Sequence, residues 1–131
     1  LPYGPDLVKP NLHEFLTTYL PECVSSSPGE SELREKVEEK ARDIAREHGC
    51  RVVLTRGAHS VWLCEGTSFS ELSVESAPPV NTTGSGDAFT AGLAAALADG
   101  SSLIDAAREG AGCGRLNALL LKPGAIRYPI V

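Results

Sequence analysis

The chain has 131 residues, a length that suits one domain with a core large enough to fold without disulfide bonds. Its 42% hydrophobic and 22% charged residues are typical of a globular protein, and its net charge of −5 argues against a general nucleic-acid-binding role, which requires a basic surface. No apolar run is long enough for a membrane-spanning helix, and the N-terminus lacks the charged-then-apolar order of a signal peptide.

The four cysteines are scattered along the chain and form no C-x-x-C pair: Cys23, Cys50, Cys64 and Cys113. This distribution predicts free, unreactive thiols in a reduced cytoplasmic protein. The sequence contains no methionine, even at position 1. We therefore expect either a processed start or a piece of a longer chain.

The first half of the sequence predicts a β-α-β unit. A strand over 6–9 is followed by a short helix over 12–20 and a Ser- and Pro-rich linker over 21–29. A long helix then begins with a capping box at 27–30 and stops at Gly49. A buried strand over 51–55 completes the unit. A strand, a crossover helix and a second strand normally form a right-handed unit with parallel strands.

The second half predicts a hairpin and two helices. The hairpin strands cover 60–64 and 67–74, and a helix over 86–98 stops at Gly100. A last helix, capped by Ser102 and running from 103 to about 121, is interrupted by glycines at 110, 112 and 114. We interpret these glycines as points of close backbone packing. No repeat is present, and the pattern predicts one α/β domain over 1–131.

The densest candidate site is the segment Asn81-Thr82-Thr83-Gly84-Ser85-Gly86-Asp87. Its glycines allow consecutive backbone N–H groups to converge on one point, and the following helix N-terminus adds positive partial charge there. Asp87 lies in the first helical turn, where its carboxylate could face a bound group. The segment therefore predicts an anion-binding hole, and the alternative is an ordinary turn in which Asp87 only begins the helix.

Two further candidates follow predicted strands. Asn11 and Glu14 stand three residues apart at a strand-to-helix junction, where their oxygens could serve Mg²⁺ or could instead form a capping box. Thr55 and Gly57 follow the buried strand, whose carboxyl end is where open α/β sheets bind ligands. There they could contact phosphate oxygens or form an ordinary turn.

The order of these three motifs resembles the ribokinase-like, or PfkB-type, carbohydrate kinases. The resemblance rests on K-P-N-L-H-E at 9–14, T-R-G at 55–57 and N-T-T-G-S-G-D at 81–87, and extends over about 6–130. It implies a three-layer α/β/α fold, of which this chain would be the C-terminal, nucleotide-binding portion. Family members are longer and place most sugar contacts upstream, so we expect a fragment without useful kinase activity of its own.

The resemblance also implies roles for individual residues. Asp87 matches the catalytic base, and the backbone amides of Gly84, Ser85, Gly86 and Asp87 match the anion hole for the transferred phosphate. Asn11 and Glu14 match the motif that organises Mg²⁺ and phosphate. Contacts with ATP are implied for Thr55, Gly57 and Lys9.

The form K-P-N at 9–11 is more similar to 1-phosphofructokinases and tagatose-6-phosphate kinases than to ribokinases. This form favours a phosphorylated hexose. The family resemblance implies a sugar or sugar-phosphate substrate with ATP and Mg²⁺ as cofactors, and the charge and apolar runs of the sequence predict no nucleic-acid or membrane partner. Because upstream strands would be missing, an exposed sheet edge would allow copies of the chain to form a homo-oligomer.

Two departures from the family pattern affect these expectations. Asn81 stands where the family usually has Asp, which puts activation by a monovalent cation in doubt. The asparagine that relatives place near adenine has no direct match, and Asn117 is the nearest equivalent. A non-catalytic nucleotide- or anion-binding module is the competing hypothesis. Asp87 favours an enzyme, because a pure binder gains nothing from a carboxylate beside phosphates.

Overall fold

The computed structural model describes residues 6–56, 60–73 and 85–118. In chain order its elements are β1 (Leu7–Val8), α1 (Leu12–Tyr19), α2 (Pro21–Ser26), α3 (Glu30–His48), β2 (Arg51–Leu54), β3 (Val61–Glu65), β4 (Ser68–Leu72), α4 (Ser85–Ala98) and α5 (Leu103–Ala118). Two compact units divide the chain, Leu1–Glu71 and Leu72–Val131.

A four-stranded sheet in the order β1-β2-β3-β4 organises the first unit. β1 pairs in parallel with β2, with Leu7 opposite Arg51 and Val8 opposite Val52. β2 then pairs antiparallel with β3, with Val53 opposite Leu63. The predicted parallel pair is confirmed, and its crossover contains three helices.

The predicted hairpin is confirmed by β3 and β4, which are joined by Gly66 and Thr67. Gly66 adopts a φ of 62°, in the left-handed region that favours glycine. Glycine in this turn is the residue type from which the sequence predicts the hairpin.

The long helix α3 buries one face and solvates the other. Val37, Ala41, Ile44 and Ala45 recur at helical spacing and are buried, as their pattern predicts. On the other face, ion pairs such as Lys36–Glu32 and Arg42–Glu38 join residues four apart. Gly49 ends the helix with a φ of 63°, which confirms the predicted stop.

The predicted linker over 21–29 is wrong, because residues 21–26 form helix α2. Pro21 occupies the start of this helix, where its missing N–H costs nothing, and the side chain of Cys23 is buried in the core. α2 ends at Ser27, whose φ of 47° is left-handed. Because Ser27 ends α2, it does not cap α3. The predicted capping box is therefore also wrong, and Gly29 precedes α3 without a side-chain cap.

The main core lies between the sheet and the crossover helices. Phe15 from α1 and Val37 from α3 are buried there with alternate residues of the strands, such as Val52, Leu54 and Trp62. On the opposite face of the same strands Val53, Val61 and Leu63 are buried too. A sheet that is buried on both faces is typical of α/β folds with helices on each side.

All four cysteines are free, as predicted. Burial raises the pKa of the Cys50, Cys64 and Cys113 thiols, so these groups stay protonated and weakly nucleophilic at neutral pH. None of the helices in 6–56 and 85–118 has both the length and the apolar character needed to cross a membrane.

In the second unit, α4 and α5 pack closely against each other. α4 confirms the predicted helix over 86–98, and the N–H of Asp105 confirms the Ser102 cap by donating to its hydroxyl at 3.2 Å. The predicted interruption of α5 is wrong, because the helix continues through its glycines. A single glycine costs only about 1 kcal/mol in a helix, which tertiary packing can offset.

The packing role expected for the α5 glycines is confirmed at Gly110. A β-carbon at this position would lie 2.7 Å from the carbonyl oxygen of Phe89, far inside van der Waals contact. Gly112, by contrast, faces open space. The same substitution at these two sites of one helix should therefore have opposite effects.

We expect Gly110→Ala to lower the free energy of unfolding by about 1–3 kcal/mol, because the new methyl group must displace the α4 backbone. Gly112→Ala, the matched control, should raise it by up to about 1 kcal/mol through helix propensity. Urea unfolding followed by far-UV circular dichroism measures both. Equal effects of the two substitutions would contradict close packing at Gly110.

Candidate functional site

The turn between β1 and α1 is fixed by a reciprocal pair of hydrogen bonds. The backbone N–H of Glu14 donates to Asn11 Oδ1 at 2.8 Å, and the backbone N–H of Asn11 donates to Glu14 Oε1 at 3.0 Å. Asn11 is therefore the N-cap of α1, and Glu14 completes a capping box. This confirms the capping alternative, while the magnesium role of both residues stays a prediction.

The capping turn is joined to the end of β2. Asn11 and Thr55 form a parallel bridge that prolongs the pairing of β1 with β2. The N–H of Leu12 donates to the Thr55 carbonyl at 2.8 Å, and the N–H of Thr55 donates to the Pro10 carbonyl at 3.2 Å. The structure thus brings Asn11, Glu14 and Thr55 together at the carboxyl ends of two neighbouring parallel strands. That is the edge where α/β sheets bind ligands.

The side chains at this edge are accessible to a ligand. Asn11 and Glu14 are exposed, and Thr55 is half-buried. The capping hydrogen bond engages Oε1 of Glu14, and a carboxylate has a second oxygen that can face a cation or a water. Within the described ranges, no cluster of three or more His, Cys, Asp or Glu could hold a metal ion. Exposed amide and carboxylate oxygens such as those of Asn11 and Glu14 suit a cation that keeps most of its water or phosphate ligands, as Mg²⁺ does.

Lys9 lies beside the same turn. It lines an open groove of about 380 Å³ together with Glu14 of α1, and the groove continues along Thr18 and Tyr19. Lys9 and Glu14 therefore share one opening near β1. The contact of Lys9 with ATP stays a prediction.

The predicted anion hole lies at the start of α4. Ser85 is the first helical residue, and Gly86 and Asp87 follow in the first turn, where both are exposed. The helix expected at this point is confirmed, and a helix N-terminus carries the positive partial charge that favours an anion. Gly84 and Asn81 lie outside the described residues, and so does Gly57 of the T-R-G motif.

The remaining predicted residue, Asn117, lies in the last turn of α5. Gly86, Asp87 and Asn117 belong to the second unit, whereas the Asn11 turn and Thr55 belong to the first. The two groups of predicted residues are therefore each placed within their own unit. The catalytic and adenine-binding roles expected for Asp87 and Asn117 stay predictions.

The sequence did not predict the burial of one charged residue beside the site. Arg56 directly follows Thr55, and its side chain is only 7% exposed. A charged residue after a buried strand normally points to solvent, so the T-R-G motif gave no sign of this burial. The guanidinium of Arg56 lies 3.9 Å from the ring centroid of Trp62, the single tryptophan of the chain.

The chain matches the family model described as pfkB family carbohydrate kinase over residues 1–127. Among solved structures it is similar to phosphofructokinase-2 from Escherichia coli in complex with potassium, with a TM-score of 0.75 and 21% identity over 92% of this chain. Ribokinase from Thermotoga maritima gives a TM-score of 0.70 with 22% identity over 89% of this chain. Fructokinase from Vibrio cholerae, bound to fructose, ADP and calcium, gives 0.68 with 25% identity over 92% of this chain.

This chain spans about 37% of the length of each of these three kinases. The likeness confirms the expected ribokinase-like α/β fold over that part. No curated protein matches the sequence.

The capping box makes a separate prediction for stability. Asn11→Ala should lower the free energy of unfolding by about 1 kcal/mol, because the N–H of Glu14 loses its acceptor. Asn11→Asp keeps an acceptor and should stay close to wild type. Thr17→Ala, an exposed change within the same helix, is the control and should not destabilise. If urea unfolding showed that Asn11→Ala costs nothing, the capping box would not hold the turn.

Proposed function

Because the chain belongs to the pfkB family of carbohydrate kinases, we propose that it supplies the ATP-binding part of a kinase that phosphorylates a sugar or sugar-phosphate hydroxyl. One observation carries this proposal: the hydrogen-bonded pairing of the Asn11 turn with Thr55 at the carboxyl ends of β1 and β2. This pairing places hydroxyl, amide and carboxylate groups at one ligand-binding edge.

Phosphoryl transfer needs groups that position the nucleotide and balance its charge more than groups that react covalently. In our proposal the Thr55 hydroxyl and the Gly57 backbone contact the phosphates of ATP, and Lys9 contributes positive charge beside the same turn. Asn117 contacts the adenine. Because Thr55 and the Asn11 turn are already paired, nucleotide binding costs little conformational entropy at this edge.

Asn11 and Glu14 would hold Mg²⁺ largely through water, in keeping with their oxygen donors and exposure. When bound, Mg²⁺ neutralises charge on the phosphate oxygens. The capping box serves this role as well, because it fixes the Glu14 side chain in one orientation without engaging both of its oxygens.

Asp87 is the proposed catalytic base, which accepts the proton of the attacking sugar hydroxyl. Its position in the first turn of α4 places it beside the backbone N–H groups of the helix start. The amides of Gly84, Ser85, Gly86 and Asp87 would stabilise the charge of the transferred phosphate, each well-placed donor contributing roughly 3–4 kcal/mol. An exposed carboxylate there is accessible to a substrate hydroxyl.

We propose a hexose phosphate as the substrate, the kind used by 1-phosphofructokinases and tagatose-6-phosphate kinases, with the unphosphorylated hexose as the alternative. The K-P-N form of residues 9–11 supports this choice, as does similarity to a phosphofructokinase-2 and to a fructokinase solved with fructose and ADP.

The protonated thiols fit the proposed cytoplasmic location. Because β1 lies at the edge of the sheet, copies of the chain would be able to associate through it.

The competing hypothesis is a nucleotide- or anion-binding module without catalysis. Both hypotheses require a nucleotide site, and only the kinase hypothesis requires a base. Tests of nucleotide binding and of Asp87 therefore answer different questions.

We expect MgADP to shift the amide resonances of residues 11–14 and of Thr55. Glu14→Gln should weaken the magnesium-dependent part of this binding by about tenfold or more, since it removes the charge. Glutamine still completes a capping box, so stability should be retained. Glu22→Gln is the matched control, because Glu22 also lies in a first helical turn but belongs to α2. Equal affinities of both variants would contradict the role of Glu14.

Asp87→Asn tests catalysis separately from binding. In a chain that also carries the sugar-binding part, we expect kcat to fall by roughly 10²-fold or more and nucleotide affinity to stay close to wild type. The 131-residue chain alone should release no ADP in a sugar-dependent manner, because nothing aligns the acceptor hydroxyl with the phosphate. A coupled ADP-release assay with hexoses and hexose phosphates measures both. Near-normal turnover of Asp87→Asn would refute the assigned role.

A further inference from the structure

The buried guanidinium of Arg56 is held from several sides. It stacks over Trp62, with 3.9 Å between the guanidinium carbon and the ring centroid. Nη1 donates to Ser60 Oγ at 3.2 Å and lies 3.9 Å from Glu71 Oε2, and Nη2 forms an ion pair with Glu30. Arg56 thus joins the start of α3 to the hairpin through one side chain.

The charges around Arg56 are balanced, as a buried cation requires. Glu71 accepts hydrogen bonds from Ser60 and from Arg34. The hydrogen bond from Ser60 lowers the pKa of Glu71 most, and the charges of Arg34 and Arg56 lower it further. The pKa therefore lies below its ordinary value although desolvation raises it. Glu71 therefore remains a carboxylate at neutral pH. Together with Arg56, Arg34, Glu30 and Ser60 it forms the Arg56 cluster.

Arg56 is also one peptide bond from the candidate site. The residue before it, Thr55, uses its N–H and its carbonyl to hold Pro10 and Leu12. A side chain fixed on Trp62, Glu30 and Glu71 restricts the backbone of residue 56 and hence the direction in which Thr55 leaves the sheet. The end of β2 is consequently anchored on both sides, by the Asn11 turn and by the Arg56 cluster.

We propose that Arg56 is a positioning residue: its clamp on Trp62, Glu30 and Glu71 holds Thr55 and the Asn11 turn in the arrangement that a nucleotide phosphate requires. This inference rests on the proposed function for the identity of the ligand. Arg56 itself turns away from the site, towards the hairpin and α3, and acts through Thr55.

The clamp needs arginine and not merely a positive charge. A planar guanidinium can stack on an indole ring and donate to two partners in fixed directions, whereas an ammonium group does neither. We therefore expect Arg56→Lys to retain the charge and lose the positioning. Arg56→Met keeps an unbranched chain against Trp62 without any charge.

Arg34 provides the matched control. It also pairs with Glu71 and also lies over an aromatic ring, 5.7 Å from the Phe69 centroid, but it is on α3 and not next to Thr55. Arg34→Met therefore removes an ion pair with the same Glu71 and a contact with an aromatic ring, from a side chain that is 41% exposed. Amide hydrogen exchange is measured for Thr55 and Leu12, with Val53 in the middle of β2 as the reference for overall unfolding.

We expect Arg56→Lys and Arg56→Met to accelerate exchange at Thr55 and Leu12 by about tenfold relative to Val53, because local opening costs less than global unfolding. Arg34→Met should accelerate all three amides to a similar extent. If the Arg56 variants also accelerated all three amides alike, or if Arg34→Met reproduced their pattern, Arg56 would have only a general structural role and the proposal would be overturned. Should Arg56→Met fail to fold, Arg56→Lys decides the question.

The second readout is the dissociation constant of MgADP, followed by amide shifts. At equal fractions folded, Arg56→Lys should bind about tenfold more weakly than wild type, and Arg34→Met should bind like wild type. Unchanged affinity of Arg56→Lys would overturn the proposal. A wild-type chain that binds no MgADP would instead refute the proposed nucleotide site. In that case the exchange rates, which need no ligand, still decide whether Arg56 positions Thr55.

Discussion

The candidate site depends on one short stretch of parallel pairing, in which the turn after β1 is hydrogen-bonded to the end of β2. Leu12 and Thr55 are linked by a 2.8 Å hydrogen bond, and Thr55 and Pro10 by one of 3.2 Å. Residues 10–12 and 55 are thereby kept in register although more than 40 residues separate them, a span that includes three helices. A loop closure of that length is stable only because the apolar residues of the crossover are buried against the sheet.

The same pairing explains how one set of side chains can serve both folding and function. The Asn11–Glu14 capping box satisfies N–H groups at the start of α1 and at the same time fixes two oxygen-bearing side chains at the sheet edge. In the proposed clamp, Arg56 fixes the other side of that edge through its stacking on Trp62 and its ion pairs with Glu30 and Glu71. In the second unit, the close approach of α4 and α5 at Gly110 supports the helix whose first turn carries Asp87.

Much of this architecture could be predicted from local signals. The apolar spacing from Val37 to Ala45 identified α3, and Gly49 marked its end, because both patterns act within a few residues. The prediction failed at 21–26, because proline occurs both at helix starts and in linkers. In the structure the Cys23 side chain is buried, which stabilises helix α2. For the candidate site, motif order singled out Asn11, Glu14 and Thr55, which the structure brings together at one sheet edge. The inward path of Arg56 depends on Trp62, Glu30 and Glu71, which lie elsewhere in the sequence and give no local sign.

The central claim is that a metal–nucleotide complex binds where the Asn11 turn meets Thr55. Paramagnetic broadening tests it most directly, with Mn²⁺ in place of Mg²⁺ and ADP added to the full chain. The account predicts selective broadening of the amides of Asn11, Glu14 and Thr55 that requires ADP, with the hairpin turn at Gly66 unaffected. Broadening that is independent of ADP, or that is centred on the acidic residues of α3 while Asn11 and Thr55 remain sharp, would contradict it.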